Sequence, residues 1–292
     1  DLNVIASVVL GGPRVGGGYG NVTGTLLGVL LITLINNSLV MLKIPTFWQN
    51  AVTGLIIILG TVAPLQEIPA GGKGGEGMKK LLTRDRHITR LLVIMALVLL
   101  AMAVLNPKVF YSASNFTSMA VQFPELGFLS IAAALVLMSG GIDLSVTGTA
   151  VRSGIVAARI MLASDAPEGP SVGVVVLACI AALLVGLLCG AVNALLVARV
   201  GIAPMLVTLG TMNLFNGMGV VLTKGSALSG FPESFLAIGN GKVLGVPVPL
   251  LLFVLATVIL AFFLNRTKLG YKLCIYGSNP VASFFSAINN IR

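Results

Sequence analysis

Charge is what this sequence has least of. Only 9% of its 292 residues are Asp, Glu, Lys or Arg, whereas a soluble domain carries about 25%. So few charges cannot cover the surface of a water-soluble fold. Aromatic residues are also sparse, at 6% with a single Trp. No basic patch is interleaved with aromatics, so the net charge of +9 does not indicate nucleic acid. The single His87 lies in the charged stretch Thr83-Arg-Asp-Arg-His87 and reads as a solvated surface residue. The three cysteines, Cys179, Cys189 and Cys274, have no metal-ligand spacing and read as small apolar side chains. No carboxylate pair and no nucleophile elbow is present. Gly71-Gly-Lys-Gly-Gly75 lacks the Ser/Thr and the strand–helix setting of a phosphate loop. Enzyme activity, and ATP hydrolysis by this chain alone, are not expected. No cleavable leader opens the sequence, and residue 1 is Asp rather than Met, so the numbering is expected to start inside a longer product.

Apolar residues are what it has in plenty: 57% of the chain, with a mean hydropathy of +1.03. A spanning helix needs about 20 mostly apolar residues. Eight stretches meet or approach this: 21–42, 50–66, 90–106, 117–139, 145–163, 172–200, 202–223 and 247–265. The run from Val174 to Leu188 is continuously apolar, unlike the alternation of a barrel strand. The expected fold is all-α: a polytopic transmembrane bundle of roughly eight spanning helices, packed closely through abundant Gly and Ala.

Lys and Arg set the orientation. Lys79, Lys80, Arg84, Arg86 and Arg90 precede the run 90–106 and place that end in the cytoplasm. Counting crossings then puts 164–171, which has no Lys or Arg, outside. Arg199 and the segment from Arg266 to Arg292 fall inside, as does Arg14. Lys43, Lys108, Lys224 and Lys242 are isolated outside exceptions. Residues 66–80 are Gly-rich, charged and without apolar anchors, which is a flexible linker. Met78-Lys-Lys resembles a natural start. The chain therefore divides into 1–66, a linker at 67–80, helices over 81–266 and a basic loop at 267–292.

Polar residues inside such runs are the candidates for function. Asp143 and Ser145 follow the Gly140-Gly141 pair between two apolar runs. A carboxylate there should pair, cap a helix or face water, and broken helices in transporters border the pathway. Thr208, Thr211, Asn213 and Asn216 form a second group, with Thr208, Thr211 and Asn216 near helical spacing; Asn193, Asn36 and Asn37 are further amides in apolar runs. Neutral amides and hydroxyls suit an uncharged hydroxylated solute. The plainer reading is interhelical hydrogen bonding, worth about 0.6 kcal/mol each. Glu125 follows Pro124 inside 117–139, where a kink-associated contact is expected. In the basic loop, Pro280 can open a short helix over 280–288 with Ser278 or Asn279 as cap, leaving Phe284 and Phe285 to a partner.

Four segments together are similar to the ribose/xylose-type permeases of bacterial ABC importers. They are Ser139-Gly-Gly-Ile-Asp-Leu-Ser-Val146; Gly201-Ile-Ala-Pro-Met-Leu-Val-Thr-Leu-Gly-Thr-Met212; Thr267-Lys-Leu-Gly-Tyr271 with Gly277-Ser-Asn-Pro-Val-Ala282; and Asp1-Leu-Asn-Val-Ile-Ala-Ser-Val-Val-Leu-Gly-Gly12 with Gly20-Asn-Val-Thr-Gly-Thr25 and Phe47-Trp-Gln49. The resemblance implies a monosaccharide-like solute, a bacterial inner membrane and a dimer of permeases, identical or not. It implies an ATP-binding subunit that holds ATP and Mg, so no cofactor in this chain, and a periplasmic solute-binding protein. By the resemblance, the segment matching 267–292 docks on the ATPase, which assigns Gly270, Tyr271, Gly277, Asn279, Pro280, Ala282, Phe284 and Phe285 to coupling.

The order departs from the family: 1–66 resembles its C-terminal end yet precedes the N-terminal-like part. A slice across two fused permease genes, a permutation and a fragment of a broken reading frame all give this order. Asn216 stands where family members often carry Arg, and Arg152 and Arg159 sit within one spanning run. Other solutes within the same class are nucleosides, a furanone-type signal or branched amino acids. A stand-alone secondary transporter is the wider alternative, and only Asp143 and Glu125 are available to it as ion-coupling carboxylates.

Overall fold

The computed structural model of the chain describes residues 2–12, 22–62, 86–163 and 171–278. Each apolar run becomes a helix. In chain order these are α1 (Leu2–Gly11), α2 (Val22–Met41), α3 (Thr46–Val62), α4 (Arg86–Leu105), α5 (Pro107–Phe110), α6 (Ala113–Met138), α7 (Val146–Leu162) and α8 (Val172–Leu195). A π-helical turn, Leu196–Val200, extends α8. Then come α9 (Pro204–Thr223), α10 (Glu233–Asn240), the two-residue strands β1 (Lys242–Val243) and β2 (Val246–Pro247), α11 (Val248–Arg266) and α12 (Lys268–Ser278). The strands pair antiparallel across a tight turn.

Six of these helices are at least 18 residues long and apolar enough to span a membrane: α2, α4, α6, α8 with its π turn, α9 and α11. The other two predicted spans, α3 and α7, are 17 residues each. At 1.5 Å per residue they reach about 25 Å, slightly less than a hydrocarbon core of about 30 Å. The protein is a multi-pass helical membrane protein. Leu183 and Leu187 of α8 and Phe262 of α11 are among the many large apolar side chains on its outside.

Several elements fall outside the predicted spanning runs, α5, α10 and the two strands among them, and two more shape the bundle. Helix α1 has 10 described residues, of which Ala6, Ser7 and Val8 are fully buried. It lies backbone-to-backbone on α2. A Cβ on Gly24 would strike the carbonyl oxygen of Gly11, and one on Gly28 would strike that of Ser7. This is the small-residue contact by which helices associate where lipid supplies no hydrophobic difference. Helix α12 is the second. Residues 268–278 were read as loop, but Thr267 starts a helix there: its hydroxyl accepts from Gly270 N–H at 3.2 Å and donates to Phe263 O at 2.7 Å. The short helix predicted over 280–288 and the linker 67–80 lie outside the described residues.

The N-terminal helices and those after residue 86 form one bundle. Helix α1 packs on α6, and α2 on α4 and α6. Ser7 and Ser130 share a buried hydrogen bond at 2.6 Å. Pro124 is buried inside α6, whose Gly127 receives the edge of Phe253 from α11. Glu125 beside it is exposed.

Candidate functional site

The site forms where α6 gives way to α7. Helix α6 ends at Met138, and Gly140 turns left-handed at φ +85°. Its N–H bonds to Leu137 O at 3.0 Å, and that of Gly141 to Val136 O at 3.1 Å. A left-handed Gly just past a helix end satisfies the terminal carbonyls in this way. Residues 141–145 then run irregularly to α7.

Asp143 organises this segment. Its Oδ1 accepts from Ser145 N–H and from Ser145 Oγ, both at 2.7 Å. Ser145 is the N-cap residue but makes no side-chain bond to the helix it opens. Its hydroxyl is committed elsewhere: it donates to Asp143 and accepts from Asn193 Nδ2 at 2.7 Å. The expectation that the Ser145 side chain caps α7 is therefore corrected: Ser145 closes a turn with Asp143 and ties it to Asn193 of α8. Ser145 and Asn193 are 1% and 7% exposed, and Asn193 Oδ1 has no partner among the described residues. A buried amide oxygen left unpaired costs about 1–3 kcal/mol, so this atom is open to a ligand or water.

Helix α9 holds the segment from another side. Thr208 Oγ1 lies 3.2 Å from Ile142 O, besides its own-helix acceptor Pro204 O at 2.9 Å. Thr211 is turned back onto Val207 O at 3.0 Å. Thr208 and Thr211 are buried, whereas Asn213 and Asn216 are exposed, so the four do not share one environment. Asn213 Nδ2 bonds to Leu209 O at 3.1 Å. Asn216 Oδ1 borders Gly148 of α7, 3.3 Å from where a Cβ would stand.

The amides of α2 are placed differently. Asn37 is buried and exchanges two hydrogen bonds with Asn115, while Asn36 is half-buried. Asn115 is a residue that sequence reasoning missed. The signal for it was the Ser112-Ala-Ser-Asn115 stretch, in which Ser112 Oγ caps α6 by accepting from Asn115 N–H at 3.2 Å.

Of the coupling residues, Gly270, Tyr271 and Gly277 are described; Asn279, Pro280, Ala282, Phe284 and Phe285 lie outside the described residues. Gly270 is buried against Leu264, and a Cβ there would strike its carbonyl. Tyr271 is exposed. Gly277 is buried and meets Gly140: a Cβ on Gly140 would stand 3.9 Å from Gly277 Cα and O. The end of α12 thus lies beside the helix break.

Residues 115–292 match the family described as the branched-chain amino acid transport system / permease component. The chain belongs to that permease family. It is 34% identical over 214 residues to the autoinducer 2 import system permease protein LsrD of Enterobacter sp. (strain 638), covering 69% of this chain and 61% of the relative. It is 31% identical over 196 residues to the D-allose transport system permease protein AlsC of Escherichia coli (strain K12), covering 67% and 58%. This permease chain therefore spans about three fifths of the length of those relatives. No solved structure matches it. The relatives are transport permeases, not enzymes, and the matched region contains the Asp143 segment, α9 and α12 of this permease.

Proposed function

We propose that this chain is the membrane-spanning permease part of an ATP-driven importer for a monosaccharide-like solute. The observation that carries the reading is the broken helix at 139–145. It gathers Asp143, Ser145 and Asn193 into a linked polar chain, and it lies beside α12 at Gly140 and Gly277. Relatives named for D-allose and autoinducer 2 support a small polar solute.

On this reading the break and α12 lie on the cytoplasmic side of the bacterial inner membrane, with Lys268 and Lys272 on α12 facing that compartment. A separate ATP-binding subunit docks on 267–292. A ligand of one state must bind that state better to shift the bundle; the ATPase does so through α12, and the Gly140–Gly277 contact passes the movement to the break. A periplasmic binding protein delivers the solute, and a second permease copy completes the path. The Asp143 chain and the polar residues of α9 line it. The helices of 1–66 serve as the C-terminal-like part, joined by the linker 67–80.

The test is uptake of labelled D-allose, D-ribose and D-xylose in cells with the gene deleted and then restored. Restoration of uptake of one of them supports the reading, and unchanged uptake of all three sinks it. A second reading, a signal molecule such as the one in the LsrD name, is favoured by the 34% identity to that permease. It predicts uptake of that signal and of none of the sugars.

A further inference from the structure

The hairpin that precedes α11 has an unfavourable residue at its tip. Lys242 pairs with Pro247 and Val243 with Val246, which leaves Leu244 and Gly245 as the two residues of the turn. Both are left-handed, at φ +52° and +82°. Turns of this kind favour Asn, Asp or Gly at the first position, because a Cβ there crowds the backbone and only a short polar side chain can bond locally. Leucine has neither advantage. The other two left-handed non-glycine residues among those described, Lys43 and Lys224, are charged. Leu244 is also 100% exposed. A strained turn that holds a large apolar side chain wholly outside the protein persists where something beyond the chain offsets the strain.

The hairpin is held at the edge of a span. Val248 N–H donates to Gly241 O at 2.9 Å and closes the hairpin onto the first residue of α11. Pro247 beside it is buried. Helix α11 has 19 residues and reaches about 28 Å, so nearly all of it is needed to cross a hydrocarbon core of about 30 Å. Its first residue therefore stands at the boundary. Leu244 is three residues from Gly241, so the tip lies within about 10 Å of that boundary. Helices α6 and α11 run parallel: Phe253 meets Gly127, and farther along Leu264 and Met138 line one cavity. Strand β2 packs on α6, level with the early turns of that span rather than above it.

The exposed apolar surface continues from the tip to the span. Val243 and Val246 are exposed beside Leu244, as are Leu236 and Ile238 of α10. Helix α10 and β2 both pack on α11, whose next exposed side chains are Leu251, Leu252 and Leu255. Lys242 is exposed at the base of the hairpin. A Lys at the end of a span lays its stem on apolar surface and keeps its ammonium among lipid phosphates. We propose that the hairpin 242–247 and α10 form an interfacial lipid anchor. Leu244 inserts at the boundary between headgroups and acyl chains, and Lys242 stays at the phosphates. The anchor fixes the depth of the start of α11 beside α6. It goes beyond the transport reading and does not depend on the solute.

Depth-resolved fluorescence quenching tests this. The chain has a single tryptophan, Trp48, so Trp48→Phe with Leu244→Trp leaves one reporter, at the tip. The full chain is reconstituted in phosphatidylcholine vesicles whose acyl chains carry bromine either near the headgroup or near the methyl end. Leu187→Trp in the same background is the reference, at mid-span on α8 and 69% exposed. Emission from position 244 is expected to be quenched several-fold more by the shallow bromine than by the deep one, with the order reversed at 187. Quenching of 244 by iodide in the water but by neither bromine puts the tip in water and overturns the proposal. Protection from iodide and from both bromines means that another protein, a second copy or a soluble partner, covers Leu244, and overturns it equally. Stronger quenching by the deep bromine overturns the boundary position. Leu244→Cys, with Cys179, Cys189 and Cys274 replaced by Ala, repeats the test with a smaller side chain should the tryptophan variant not assemble. A charged methanethiosulfonate is expected to modify it several-fold more slowly in vesicles than it modifies free cysteine, and equal rates overturn the anchor.

Discussion

Asn37 of α2 and Asn115 of α6, 78 residues apart, hold each other's amides: Asn37 Nδ2 donates to Asn115 Oδ1 at 2.9 Å and Asn115 Nδ2 to Asn37 Oδ1 at 3.1 Å. Asn115 Nδ2 also reaches Phe110 O at 2.8 Å. The pair joins the N-terminal helices to the rest of the bundle. An interhelical hydrogen bond in a membrane contributes only about 0.6 kcal/mol net, but an orphaned buried amide costs about 1–3 kcal/mol. The single variants Asn37→Leu and Asn115→Leu are therefore each expected to lower stability more than the double variant does per site. Thermal unfolding of the four proteins in detergent measures this. Additive losses would show that the amides do not act as a pair.

The α1–α2 contact is expected to be unforgiving. Gly28→Leu places a side chain where Ser7 O already stands, whereas Gly54 has open space around its Cβ direction. Gly28→Leu should separate α1 from α2 and reduce the folded yield severely, while Gly54→Ala should leave it nearly unchanged. Limited proteolysis of membranes carrying each variant reads the difference.

Asp143→Asn keeps an oxygen that can accept from Ser145 N–H and Oγ, but removes the charge. If the charge acts in transport, abundance should stay near wild type while uptake falls several-fold. Ser145→Ala, by contrast, leaves Asn193, already short of one partner, without its remaining one. It should cost about 1–3 kcal/mol of stability. Membrane abundance by immunoblot, measured beside uptake, separates the two effects. Equal loss of both in Asp143→Asn would reduce that residue to a structural turn.

Cys274 on α12 reports on the packing of that helix. Burial pushes its thiol pKa above the ordinary value. The thiolate is the reactive form, so at a given pH less of it is present than in an exposed cysteine. With Cys179 and Cys189 replaced by Ala, maleimide labelling should be slow near neutral pH and climb as pH rises through the elevated pKa. Undocking or unfolding of α12 should speed labelling near neutral pH. A labelling rate that matches a free cysteine at every pH would show that α12 does not pack as described.

Much of the fold was legible because the membrane imposes a one-dimensional rule. The run 172–200 became a helix with those bounds, and 202–223 became Pro204–Thr223. Lipid leaves a spanning backbone no partner but itself, so hydropathy alone locates such helices. Helix α1 escaped this rule: its 10 described residues fall short of the run that hydropathy detects, and contacts with α2 and α6 bury it. Helix α12 escaped because a polar, basic sequence reads as loop until the Thr267 bonds that start it are visible.

The candidate site was legible as a set of polar residues but not as an arrangement. Asn37 and Asn193 look alike in sequence, each an amide in an apolar run. In the folded chain one is satisfied by Asn115, and the other is tied to Ser145 with its oxygen unpaired. Arg152 and Arg159 are seven residues apart on one helix, yet only Arg159 finds a carbonyl. The sequence by itself determined that the chain crosses a membrane as helices, roughly where the long apolar ones lie, and that the helix break falls at Gly140-Gly141. Only the tertiary structure decided which polar groups are struts and which are free. Lipid is as apolar as the helices it surrounds, so no hydrophobic pattern dictates their neighbours; close backbone fit and hydrogen-bond geometry do, and neither is written along a single helix.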